Sequence, residues 1–511
     1  MYTDVITEIA RFKAGRIHVA RAGLATQARL CVDMLQQGRG MAWVVKNRDE
    51  LLTARALMRL FSPELSSGDF LPDALDKGGW TSLPPFSPRS ANREGWTERL
   101  SALYALRSGQ AKGLILTADN LLPKLVPLDF FENREVTLIR GEDVSLDMIL
   151  EQAVEWGYER VSMVSNPGEI ARRGDILDIM PPGYDKPIRL DFFGDLIEEI
   201  RLFDPVSQRS KANLSEVRVL PVSPIRQSPA DQAKMQARWK SLFQKNMLTE
   251  NERFGLTRLQ EQGDFRLLPG CCYDTATNLE AWLPADTVWV LPGLSDFRDM
   301  LSSAERLWTE AFEAQDVEGR PQPQRLAMRE ASDVESACER FACVHAEPLV
   351  MGIAKGIHDL PERSLSSFED LFPSTAEQDR PWQTLVQALK RWQNDKRQTI
   401  LCFASEKSRT KFLNLASQDG LSPLLRYSGE QHGLFALVAP FRAGAELIWD
   451  QSLILGEDLL QPHAEKSRRV PTGAFKGLDR YDELKPGDLL VHRDYGIARF
   501  GGLLRMETGS T

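Results

Sequence analysis

No Gly-Lys-Ser or Gly-Lys-Thr triplet occurs in the 511 residues of this chain. A P-loop needs that lysine for the β/γ-phosphates and that hydroxyl for magnesium, so a nucleotide site of this kind is not expected. HExxH, GxSxG and GxGxxG are also missing. The six histidines (His18, His345, His358, His432, His463, His492) are isolated, which leaves no constellation for acid–base or nucleophilic catalysis. His18 reads as a packed ring in a strand, and His432 as a solvated one in a glycine-rich loop. The six cysteines (Cys31, Cys271, Cys272, Cys338, Cys343, Cys402) form no CxxC, which favours reduced thiols over a disulfide framework or a zinc site. Cys338, Cys343 and His345 are near neighbours but lack a fourth ligand, so buried thiols are the reading there. No apolar run approaches the roughly 20 residues that span a bilayer. Residues 1–13 hold no signal-peptide core, and a cytoplasmic protein without a membrane partner is expected. Basic excess is absent too: 63 Lys and Arg stand against 72 Asp and Glu, a net charge of −9. DNA contact would therefore need a local patch or another part of the protein. The cluster Lys466, Arg468, Arg469 reads as a solvated linker.

What is present is ordinary globular composition, 42% hydrophobic and 26% charged, at a length for roughly three to five domains. Strands are expected at Ile17-His18-Val19-Ala20, Met41-Ala42-Trp43-Val44-Val45 and Gly113-Leu114-Ile115-Leu116-Thr117, with helices over 25–35 and 49–61. Such alternation implies a mainly parallel sheet covered by helices. Where a phosphate loop would sit, Ala20-Arg21-Ala22-Gly23-Leu24-Ala25-Thr26 keeps a single glycine, read as a turn residue. From 135 to about 210 the pattern changes to hairpins plus one helix over 145–156, a module set into the first α/β domain. That domain resumes near 215, with a helix over 295–312. Residues 315–325 are polar and read as a linker. A second small α/β domain is expected around Gln398-Thr399-Ile400-Leu401-Cys402-Phe403, and a second linker over 461–482. The last piece, from Pro486, reads as two short strands with too few residues to close a core, so the chain is expected to be cut inside a small β-domain.

The most informative stretch is Arg172-Arg173-Gly174-Asp175-Ile176-Leu177-Asp178-Ile179, followed by Pro187-Ile188-Arg189-Leu190-Asp191-Phe192-Phe193-Gly194-Asp195. Side chains on a strand alternate between faces. Ile188, Leu190 and Phe192 make a core stripe. Arg189, Asp191 and Phe193 lie on the opposite face, with Arg173 ahead of the preceding strand. An arginine beside a bare aromatic ring suits a protein partner. A bland alternative, in which a loop covers Phe193, carries about equal weight on pattern alone.

These residues, with Phe203-Asp204-Pro205-Val206-Ser207-Gln208-Arg209-Ser210, resemble the damage-recognition component of bacterial excinuclease (its B protein) and the related transcription-repair coupling factors. The lost P-loop, and the likeness of Pro486-Gly487-Asp488-Leu489-Leu490-Val491-His492 onward to an RNA-polymerase-interaction domain, favour the N-terminal part of the second family. The resemblance implies an α/β multidomain fold. A degenerate P-loop domain would span 1–130 and 214–325. Inserted at 131–213 would be a β-rich module that binds the excinuclease A protein. A small α/β domain at 335–458, a linker at 459–482 and the start of a β-barrel at 483–511 would follow. The resemblance implies Arg173, Arg189 and Phe193 as contacts to the excinuclease A protein. An edge strand near Leu504 and Met506 would pair with the RNA polymerase β subunit. No cofactor is implied in this stretch. ATP, magnesium and double-stranded DNA would belong to a translocase motor elsewhere in the parent protein. The runner-up is an ATP-dependent, DNA-binding repair enzyme of the excinuclease B type.

Overall fold

The computed structural model describes residues 2–11, 14–61, 79–347, 357–374, 379–427, 432–460, 489–492 and 496–499. They fall into two compact units, 1–462 and 463–511.

The first unit opens with α1 (Tyr2–Arg11), β1 (Gly15–Ala20), α2 (Leu24–Gln36), β2 (Met41–Val45), α3 (Arg48–Phe61), β3 (Trp80–Leu83), α4 (Arg93–Arg107) and β4 (Gly113–Thr117). Every residue of β2 and β4 is buried, as parallel strands covered on both faces require. Their alternation divides two cores. Ala42, Val44, Leu114 and Leu116 join one, while Met41, Trp43, Val45 and Ile115 join the other.

The chain then leaves this sheet. β5 (Val136–Ile139) and β12 (Glu216–Val219) pair antiparallel as entry and exit strands. Between them lie α5 (Leu146–Glu155), β6 (Glu159–Arg160), β7 (Glu169–Arg173), β8 (Ile176–Ile179), β9 (Ile188–Phe193), β10 (Leu196–Phe203) and β11 (Ser210–Leu214). β6 to β11 form a six-stranded sheet in sequence order. Ser145 caps α5 by accepting from the Met148 N–H. Leu146, Ile149, Leu150 and Ala153 recur at helical spacing and pack on Leu177, Ile179, Ile188, Leu190 and Phe192.

β13 (Val288–Pro292), β14 (Ala342–Glu347) and β15 (Ile357–Asp359) return to the first sheet, whose seven strands are all parallel in the order β15-β1-β14-β13-β2-β4-β3. The first α/β layer therefore runs past the expected boundary at 325. The expected linker at 315–325 is corrected as well. Gln315 and Gln322 are buried, and the Gln322 amide donates to Gln315 Oε1 at 2.8 Å and to the Arg266 carbonyl at 2.9 Å. Polar composition suggested solvent, but here the polar groups satisfy one another inside the fold.

β16 (Glu362–Leu365), β17 (Gln398–Phe403), β18 (Leu434–Val438), β19 (Gly444–Leu447) and β20 (Ser452–Gly456) form a mixed five-stranded sheet. One of its faces adds Ile400, Cys402, Phe435 and Ile454 to the core that holds Trp43 and α2. The two α/β layers thus share apolar interior.

In the second unit β21 (Leu489–His492) and β22 (Gly496–Arg499) pair antiparallel, Leu489 opposite Arg499. The 459–482 linker, but for its first two residues, and the expected polymerase contacts Leu504 and Met506 lie outside the described residues.

Candidate docking surface

The six-stranded sheet has one face on α5 and one outside. Cross-strand partners share a face, so register lays out the outer one in rows. One row runs Ala171, Asp178, Arg189, Arg201. The next runs Arg173, Ile176, Asp191, Glu199. A third, at the edge, pairs Phe193 with Leu196.

Two glycines set this edge. The β7–β8 and β9–β10 hairpins both turn on Gly-Asp, at Gly174-Asp175 and Gly194-Asp195, and both glycines have φ of +62°. A side chain at either position would be strained. Because β7 and β9 run the same way, both turns fall at the same end of the sheet. Arg173 and Phe193 are the last residues before them. Phe193 is 74% exposed. Met163, just after the carbonyl that holds Arg173, is exposed too. Arg173, exposed, donates from Nη2 to the Ser162 carbonyl at 2.7 Å.

Arg189 sits one row inward and is differently employed. Its Nε and Nη2 donate to the two oxygens of Asp178 at 2.7 and 2.8 Å, a bidentate pair. Nη2 also donates to Gln208 Oε1 at 3.1 Å. The guanidinium carbon stands 4.5 Å from the Phe203 ring centroid. The hydrogen bonds to Asp178 hold the Arg189 guanidinium above its usual pKa. Asp178 is only 2% exposed, so the arginine neutralises a buried carboxylate. Arg201 and Asp191 make a second ion pair on the same face. The geometry thus gathers Arg173 and Phe193 at the sheet's tip and makes Arg189 a fixed member of the surface behind them. Reading single strands missed Asp178, because its role depends on lying opposite Arg189.

Elsewhere, no group of three or more His, Cys, Asp or Glu among the described residues could hold a metal. His345 Nδ1 faces the Pro292 carbonyl at 3.1 Å, and Cys343 Sγ faces the Cys338 carbonyl. Burial pushes the Cys343 thiol up to about 12. An open cleft of about 620 Å³ is lined by Lys124, Arg325, Arg329 and Arg340. Two of these are already paired, Arg325 with Glu252 and Arg329 with Glu280.

Residues 136–224 match the family model described as the UvrB interaction domain. Over most of its length the chain is also similar to curated transcription-repair-coupling factors. With that of Myxococcus xanthus it is 28% identical over 473 residues, 83% of this chain and 37% of that protein. With that of Escherichia coli (strain K12) it is 26% identical over 462 residues, 84% and 38%. With that of Haemophilus influenzae it is 27% identical over 491 residues, 89% and 40%. The chain spans well under half the length of these relatives. The family resemblance read from the sequence is borne out: this chain is similar to the transcription-repair-coupling factors over most of its length and carries a segment that matches the UvrB interaction domain.

Proposed function

We propose that this chain acts in transcription-coupled nucleotide excision repair as a recruitment platform, and that the tip of its six-stranded sheet binds the excinuclease A protein. The single observation that carries this is Phe193, a large ring left exposed at the β9–β10 turn, at the same end of the sheet as Arg173. A ring held by a rigid strand offers apolar area at little entropic cost, and the rim supplies charge. Arg189 supports the site by fixing Asp178 and β9 beneath it, with one edge of its guanidinium left for a partner.

The second unit, 463–511, is the proposed contact to RNA polymerase, through backbone pairing near Leu504 and Met506. ATP, magnesium and double-stranded DNA are assigned to the part of the parent protein that this chain does not span. The excinuclease B alternative needs a phosphate loop at Gly23, and no lysine is available there.

Hydrogen exchange tests the platform reading. With the excinuclease A protein added to the whole chain, amides at 173–178 and 191–197 should gain protection. Protection confined to the seven-stranded sheet would overturn the assignment.

A further inference from the structure

At the first turn of α2 the backbone N–H groups have no intrahelical acceptor. The N-cap is Gly23, which brings no side-chain acceptor, and the first turn contains no acidic residue. The missing anion comes from far along the chain. Glu362, at the start of β16, accepts from the Thr26 N–H at 2.7 Å and from the Ala25 N–H at 3.2 Å. A Cβ at position 23 would stand 2.4 Å from Glu362 Oε1, so the carboxylate reaches this place because residue 23 is glycine. Burial pushes the Glu362 carboxyl above its usual pKa, and hydrogen bonds from Thr26, Ala25 and Gly23 offset only part of that rise.

Neighbouring contacts make this a junction. The Glu362 N–H donates to the Arg21 carbonyl at 3.0 Å, and the Leu360 N–H to the Ala20 carbonyl at 3.0 Å. Arg21 forks onto Asp359. Thr26, fully buried, accepts at its hydroxyl from the Trp449 indole at 2.9 Å. Glu362 itself pairs with Leu447 in the five-stranded sheet. Glu362 therefore pairs with Leu447 in the second sheet while its N–H and its carboxylate both reach the segment from β1 to α2.

We propose that Glu362 is a built-in latch: its carboxylate takes the position an oxyanion would hold on α2, ties the five-stranded sheet to the β1–α2 loop, and closes that helix end to phosphate groups. A charged hydrogen bond to a helix N-terminus is favoured by the dipole and by the orphan donors together. A phosphate-bearing ligand could reach the donors only if the Glu362 carboxylate left them. This device is independent of the docking surface.

Amide exchange on the whole chain tests it. Glu362→Gln keeps the shape and removes the charge. It should speed exchange at Ala25 and Thr26 roughly tenfold or more, while β2 and β4 amides change little. Unchanged exchange at Ala25 and Thr26 overturns the proposal, and so does an equal acceleration across the sheet, which would mean only general loss of stability. Glu362→Ala empties the position. Inorganic phosphate should slow exchange at Ala25 and Thr26 in that variant and leave the unsubstituted chain unaffected. Phosphate that acts equally on both, or on neither, overturns the claim that the carboxylate fills an oxyanion's place.

Discussion

The tip of the six-stranded sheet and the N-terminus of α2 are both places where this chain could meet another molecule, and they have been treated in opposite ways. At the tip, two Gly-Asp turns end the sheet and leave Phe193 in solvent and Arg173 only partly engaged. At α2, the donors that would attract an anion are already covered by Glu362. An exposed ring held at the end of a rigid strand offers apolar area that a partner can cover. A helix end sealed by the chain's own carboxylate gains order and gives up a ligand. The contrast favours a molecule that works by docking.

The sharpest way to break this comparison is within the docking face itself. Asp178→Asn removes the charge that Arg189 neutralises in a buried position. We expect the module to lose about 3 kcal/mol of stability, read as an early unfolding step in a denaturant melt. A melt that matches the original would mean that the Arg189–Asp178 pair is not structural. Next in size is Arg173→Glu, which reverses charge at the tip without touching the core. Binding to the excinuclease A protein should weaken by roughly tenfold, about 1.4 kcal/mol, with melting unchanged. If Arg189→Lys, which keeps a positive charge beside Asp178, instead costs more affinity than Arg173→Glu, the contact lies one row inward.

The smallest effect lies beside the latch. Burial pushes the Glu446 carboxyl up, but the Arg397 hydrogen bond and the charges of Arg397 and Arg363 outweigh it and leave its pKa below the ordinary value. A depressed carboxyl contributes stability that is present above the ordinary glutamate pKa and lost as pH falls through the folded one. Glu446→Gln should therefore cost under about 1 kcal/mol at neutral pH, since Arg363 is largely exposed. Its stability curve should converge with that of the unsubstituted chain in acid. Parallel curves down to the lowest pH would show that the pair contributes nothing.

Local pattern made much of this legible. The alternation of Ile188, Leu190 and Phe192 with Arg189, Asp191 and Phe193 gave the faces of β9 correctly, and the buried runs at 41–45 and 113–117 marked central parallel strands. What escaped is non-local. Whether Phe193 is covered depends on where a neighbouring strand stops, which a single strand does not encode. Asp178 acquires its meaning from the register set across the 180–187 loop. Glu362 meets Thr26 across 336 residues of sequence, and nothing near Gly23 announces it. Gln315 and Gln322 look like linker residues because composition cannot tell a solvated amide from one bonded to another amide.

The most direct measurement is a calorimetric titration of the excinuclease A protein into the whole chain, with and without Phe193→Ala. Phe193 is exposed, so its truncation should leave the melt unchanged. The docking account predicts binding by the unsubstituted chain, weakened roughly thirtyfold, about 2 kcal/mol, in the variant. Equal affinity for the two chains would contradict it.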